Sequence, residues 1–169
     1  RHAPTSAPSS PPWNPSDRSP RPNVRAVTVR TLTSGSPAID ELLDGLIPGD
    51  NIVWVADRAP AYEAIEQAFL QRSADTQRTM VVATTGAELK RRVPAGTVVV
   101  DATTSSSFSR PGALADELER LLHGEPLTCA VVDGLGVLAR RWGVDEAVGF
   151  FVRACPMMLQ YDAVTYWRL

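Results

Sequence analysis

Residues 33–70 read TSGSPAIDELLDGLIPGDNIVWVADRAPAYEAIEQAFL, and this stretch decides the fold. A turn at Gly35 leads into residues 37–44, where Ile39, Leu42 and Leu43 share one face of an expected helix and Pro37 stands where a missing N–H costs little. Gly45, Pro48 and Gly49 then bend the chain into residues 51–56 (NIVWVA), a run of strand formers. Residues 61–71 return to helical spacing, with Ile65, Ala68 and Phe69 on one side. Helix, glycine bend, buried strand and helix in that order open a layered fold.

The alternation continues toward the C terminus. Residues 79–84 (TMVVAT), 97–101 (TVVVD), 128–133 (TCAVVD), 156–159 and 163–169 read as strands. Helices are expected at 111–122, presenting Leu114, Leu118, Leu121 and Leu122, and at 145–154, presenting Val148, Phe151 and Val152. Strands separated by helical stretches imply an α/β fold of three layers, a mostly parallel central sheet with helices on both faces.

Toward the N terminus the composition changes near residue 24. Residues 1–24 hold seven of the chain's 14 prolines, several serines and few aliphatic side chains. Such a segment cannot bury enough apolar surface to offset the entropy of ordering, so a flexible tail is expected, followed by one domain over residues 25–169. Within that domain residues 26–30 (AVTVR) read as a short strand that closes its own sheet, the alternative being addition to a neighbouring sheet edge. Trp13 is the tail's large apolar ring and a candidate anchor onto a groove.

Composition excludes several classes of function. The formal net charge of −2 gives no global field for nucleic acid or anionic lipid, and the arginines form no compact basic stripe. No apolar run approaches the roughly 18 residues of a membrane-spanning helix. Two cysteines, Cys129 and Cys155, and two histidines, His2 and His123, supply neither a disulfide framework nor a zinc site, so no metal and a reducing, cytoplasmic compartment are expected. Both cysteines read as packed thiols. Only one lysine, Lys90, stands among 17 basic residues, which hints at a GC-rich bacterial genome. It lies in AELKRRV with no glycine loop around it.

The first half of the 33–70 stretch resembles the approach to the nucleotide site in KaiC-like members of the RecA ATPase superfamily. Gly35, Ile39-Asp40-Glu41-Leu42-Leu43, Gly45, Pro48 and Gly49 stand in the places of that family's Thr-Gly turn, Leu-Asp helix and glycine-rich bend. The resemblance extends over about residues 27–169 and implies a RecA-like core. Active members continue from the strand into G-x-x-x-x-G-K-[ST], whose amides cradle phosphates, whose lysine neutralises them and whose hydroxyl holds magnesium. Here the window reads Asp57-Arg58-Ala59-Pro60-Ala61-Tyr62-Glu63-Ala64. Asp57 and Tyr62 replace the glycines, Glu63 the lysine and Ala64 the hydroxyl, so a triphosphate meets acid and bulk. Arg58 alone does not restore the cradle.

Later landmarks show the same erosion. Asp133 ends an apolar strand as the Walker B aspartate does, and the resemblance would make it a magnesium ligand; without the phosphate loop, a turn or helix-cap role is the favoured reading. Thr85 and Gly86 stand nearest to where the family places its water-activating glutamate, with Glu88 slightly further on. Arg140, Arg141 and Trp142, read as a loop after that strand, have the composition of a protein interface, against the plainer alternative of two solvated charges and a ring capping the core.

The sequence therefore leads to the expectation of a catalytically inactive RecA/KaiC-like domain with no cofactor, acting on another protein as a regulatory or accessory subunit. Self-association and membership of a RecA-like, DNA-metabolism complex are open forms of that partnership. The alternatives are a divergent ATP-binding ATPase, and an accessory factor like the RecA paralogues of DNA repair, lesion bypass or cell-division control. Direct nucleic-acid binding and membrane association are not expected.

Overall fold

A computed structural model describes residues 31–55, 59–74, 78–84, 93–102, 106–124 and 129–169. The expected strand at 26–30, together with Trp13, Asp57, Arg58, Thr85, Gly86, Glu88 and Lys90, lies outside the described residues.

Among the described residues five strands build one sheet: β1 (Asn51–Trp54), β2 (Thr79–Ala83), β3 (Val98–Asp101), β4 (Cys129–Asp133) and β5 (Val164–Arg168). Their spatial order is β1-β5-β4-β2-β3 and every pairing is parallel. β2 and β4 are buried along their whole length, as strands covered on both faces must be. Among the described residues five helices surround them: α1 (Pro37–Leu43), α2 (Ala59–Ala74), α3 (Pro111–Gly124), α4 (Leu135–Trp142) and α5 (Val144–Gln160). A short 3-10 turn spans Ser106–Phe108.

The two faces carry separate cores. On one, Phe69 and Leu70 of α2 pack with Leu46, Val81, Val131, Val164 and Tyr166, and the Phe69 ring stacks on Tyr166 at 4.0 Å. On the other, Leu114, Leu118 and Leu122 of α3 and Phe150, Ala154 and Met158 of α5 pack with Met80, Val82, Val132 and Trp167. The expected three-layer α/β architecture is the observed one.

Four readings of the sequence need correction. Residues 156–159 are the end of α5 and not a strand. Pro156 is tolerated because it is exposed, which leaves the carbonyl one turn back open to water, while Met158 is fully buried in the core. Residues 135–142 form helix α4 where a loop was expected, with Leu135 and Leu138 buried beneath it. The apolar face assigned to α1 is largely in water, with Leu42 82% exposed and no residue of the helix buried. The face assigned to α5 was also misplaced: Ala147, Phe150, Ala154 and Met158 are buried, whereas Val148 and Val152 are exposed.

Candidate functional site

The carboxyl ends of the parallel strands bring together residues that lie far apart in sequence. β4 and β5 run in register, Val132 beside Trp167, so the next pair is Asp133 beside Arg168. Side chains alternate along a strand. Val131 and Tyr166 face α2, and so do Asp133 and Arg168 two residues on. Arg168 Nη1 donates to Asp133 Oδ1 at 3.1 Å, joining the two strand ends by an ion pair in which the Asp133 side chain is 3% exposed and that of Arg168 25%.

Helix α2 closes this corner from above. Tyr62, Glu66, Phe69 and Ser73 recur at three- and four-residue spacing and form its buried side. Tyr62 therefore turns inward. Its ring packs 6.4 Å from the Trp54 ring, and the Arg168 guanidinium lies 5.1 Å over its centroid. The Tyr62 hydroxyl is turned to the Glu66 carboxyl, and among the described residues neither it nor the buried Trp54 Nε1 makes a hydrogen bond of ordinary geometry.

Glu66 is 3% exposed. Burial, then the nearby Asp133 carboxylate, push its carboxyl up to about 7, with the Arg168 guanidinium pulling the other way. One guanidinium thus serves two buried carboxyl groups, and burial favours the protonated form of Glu66 at pH values where an exposed glutamate is ionised. Tyr62 is raised well above the usual phenol range by the same burial and by Glu66.

The floor of the corner is fixed by backbone contacts. The Thr84 hydroxyl, at the end of β2, donates to the Asp133 carbonyl. Gly134 follows at φ 88°, and a Cβ there would overlap Thr84 Oγ1, so this position requires glycine. Asp133 does not cap α4, whose N-cap is Gly134 with no side-chain cap bond; of the turn-or-cap role favoured from the sequence the turn at Gly134 is present, and the Asp133 side chain pairs with Arg168.

The turn at residues 33–36 packs against α2 behind this corner, and Asp40 of α1 holds it in place. Asp40 accepts from Thr33 Oγ1 at 2.5 Å and from the Ser34 amide at 2.6 Å. Burial alone would raise its carboxyl, but these bonds outweigh that and hold it below the ordinary range. Gly35 at φ 83° lies so close to α2 that a Cβ would overlap the Ala68 backbone and come within 2.7 Å of the Phe69 amide nitrogen.

Of the residues singled out in the sequence, Tyr62 and Asp133 meet in this corner, while Glu63 is half-buried and Ala64 exposed on other sides of α2. Glu66 and Arg168 were not anticipated. A charge on the apolar side of α2 was the signal for Glu66; Arg168 gave none, since a strand-terminal arginine is ordinary. Arg140 is exposed near the end of α4, and Arg141, also exposed, donates to the Ala102 carbonyl at 2.6 Å. Trp142 is half-buried, donates from Nε1 to the Phe108 carbonyl at 3.2 Å and meets the Phe150 ring edge-on at 5.5 Å. The thiols of Cys129 and Cys155 are both pushed up to about 11 by burial. Among the described residues there is no cluster of metal-ligating side chains and no helix long and apolar enough to cross a membrane.

No protein-family profile matches the sequence, and no curated protein matches it. Solved structures do match in fold. One is a KaiC-like protein of the hyperthermophilic archaeon Pyrococcus horikoshii, with a TM-score of 0.69 at 15% sequence identity, covering 83% of this chain and 71% of that one. At this identity the similarity speaks for the fold, which is a RecA/KaiC-like core.

Proposed function

We propose that this chain is a catalytically inactive RecA/KaiC-like domain that binds another protein as a regulatory or accessory subunit. The observation that carries this reading is the Arg168–Asp133 ion pair. The aspartate in the Walker B place already has a cationic partner from its own fold, and a magnesium ion would have to displace that guanidinium beside a second buried carboxyl. The residues around it agree. Tyr62 buries its ring under the start of α2, Glu63 brings negative charge where a lysine would be needed, and Ala64 carries no hydroxyl. The scaffold keeps its shape regardless, because helices on both faces bury the sheet without help from a nucleotide.

The surface we assign to partner binding is the end of α4 with Arg140 and Arg141, beside a cleft of about 630 Å³ lined by Arg110, Asp116, Arg141, Trp142 and Glu146 among others. Guanidinium groups beside an aromatic edge suit an acidic partner surface.

Calorimetric titration of the full chain with ATP and with ADP, each with magnesium, tests the inactive reading. No heat of binding up to about 1 mM nucleotide is expected, which corresponds to less than about 4 kcal/mol of affinity. Magnesium-dependent binding in the micromolar range would overturn it and favour the divergent ATPase. The double variant Arg140→Glu, Arg141→Glu leaves Trp142 and its core contacts in place and should abolish capture of the partner.

A further inference from the structure

Helix α5 has two apolar sides where a surface helix needs one. Ala147, Phe150, Ala154 and Met158 face the sheet and are buried. Val144, Val148 and Val152, four residues apart, form a second stripe that is 67%, 54% and 63% exposed, continued by Leu159 at 59%. Valine is a poor helix former, so the stripe is not explained by propensity, and the core does not use it. Arg153, on a third side, is held to Asp116 of α3 at 2.7 Å.

The stripe lies beside a sheet edge that is open among the described residues. β1 is an outer strand, and among the described residues it pairs only with β5. α5 runs under these two strands: Asn51 Nδ2 donates to the Cys155 carbonyl at 3.3 Å, and the Phe151 ring meets Trp167 at 5.0 Å. With α3 on its inner flank, the valine stripe looks outward past β1. Val53 and Val55 on β1 and just after it are 43% and 75% exposed. Between strand and helix runs a groove of about 370 Å³ whose lining, Val53, Leu135, Val144, Val148, Phe151 and Leu169 among others, includes no charged side chain.

We propose that this face binds a second copy of the chain, pairing β1 antiparallel with β1 of the partner subunit and laying the two α5 helices side by side. One two-fold axis normal to the sheet satisfies both features together. A single added strand would cover the β1 edge and leave the valines in water; a lone helix would cover the valines and leave the edge unpaired. Neutrality also points to a copy of the same chain. In an isologous contact a charge on the axis meets its own kind, and the valines of the stripe and the groove lining supply no charged side chain, the Arg140 guanidinium reaching only the Gly136 end of the groove. A stable interface takes about 800 Å² from each partner, and the exposed apolar residues of strand, groove and helix form the centre of such a patch. The dimer requires nothing of the nucleotide-site reading.

Sedimentation velocity on the full chain tests this, with amide hydrogen exchange on β1. Up to about 100 µM the chain should sediment at twice its monomer mass, a dissociation constant in the micromolar range or below. The double variant Val148→Glu, Val152→Glu should weaken the dimer at least about 100-fold by placing like charges across the axis, while its far-UV dichroism and Tm stay those of the parent. Val55→Glu should do the same from the strand side. A monomer whose β1 amides exchange freely overturns the proposal, as does a monomer whose β1 amides are protected, which would assign the edge to a segment of the same chain. A dimer that survives all three glutamates also overturns it, because its interface would lie elsewhere.

Discussion

Arg168 and Asp133 form an ion pair across the ends of two neighbouring parallel strands, Nη1 to Oδ1 at 3.1 Å, and the pair is a structural joint between β4 and β5. Breaking a buried pair from one side costs about 3–5 kcal/mol, because the remaining charge stays buried. Arg168 is a quarter exposed, so water recovers part of that cost. Arg168→Met should therefore destabilise the domain by about 2–3 kcal/mol in urea titrations at neutral pH. The loss should shrink as the pH falls toward 5 and Glu66 takes up its proton. A loss below about 0.5 kcal/mol, the level of an ordinary surface substitution, would mean the pair is not part of the joint.

Glu66 gives this domain an unusual pH dependence. Its carboxyl is raised from 4.5 to about 7 in the folded state, first by burial and then by Asp133. The folded chain consequently binds more protons than the unfolded chain between those two values, and stability must fall as the pH rises through that window. The full effect is of the order of 3 kcal/mol, lost between about pH 4.5 and pH 7 and constant above. Asp40 and Glu117 are lowered and act with the opposite sign, but their windows lie lower, at and below the ordinary carboxylate values. Urea titrations at half-unit steps should show the decline, and Glu66→Gln should remove it. That variant should be more stable than the parent at pH 8 and about equal to it at pH 5.

The path from sequence to this corner was partly legible. Alternation and length identified the five strands of the sheet, and the order of glycine bend, strand and helix indicated the RecA-like arrangement. What the pattern missed has identifiable causes. Helix α4 is only eight residues long and bounded by Gly134 and Gly143, so its ends look like turns. Residues 156–159 read as a strand starting at Pro156, yet tertiary burial of Met158 carries α5 through them. On the same helix, Val148 and Val152 have the spacing of a core stripe, and spacing cannot tell a buried side from an exposed one. The ion pair was invisible for a different reason: register decides that Asp133 meets Arg168, and register between strands 35 residues apart is a property of the folded sheet.

Gly35 is the position where the family-like turn is most tightly constrained. Its φ of 83° belongs to the left-handed region, and a Cβ would run into the α2 backbone at Ala68 and Phe69, which cannot move without displacing the helix. Left-handed strain by itself costs a side chain roughly 1–3 kcal/mol. Gly35→Ala should exceed that range, because steric overlap with rigid backbone adds to it. Thermal unfolding would report the loss. A Tm within a few degrees of the parent, the scale of about 1 kcal/mol in a domain of this size, would show that the turn moves away from α2 freely.

Tyr62 makes the sharpest distinction between a side chain kept for its ring and one kept for its hydroxyl. The ring is 1% exposed and lies between Trp54 and the Arg168 guanidinium, so removing it would open a cavity. The hydroxyl, by contrast, is buried without a hydrogen bond of ordinary geometry beside an acid that already strains the corner. Leaving a buried polar atom unsatisfied costs about 1–3 kcal/mol, whereas an apolar replacement of the same shape does not. Tyr62→Phe should thus be neutral or stabilising by up to about 1 kcal/mol, and Tyr62→Ala should cost about 3–5 kcal/mol. Paired urea titrations at pH 8 separate the two. If Tyr62→Phe instead lost more than about 1 kcal/mol, the hydroxyl would be a hydrogen-bonding partner of Glu66, and the Glu66 carboxyl would then titrate differently in that variant.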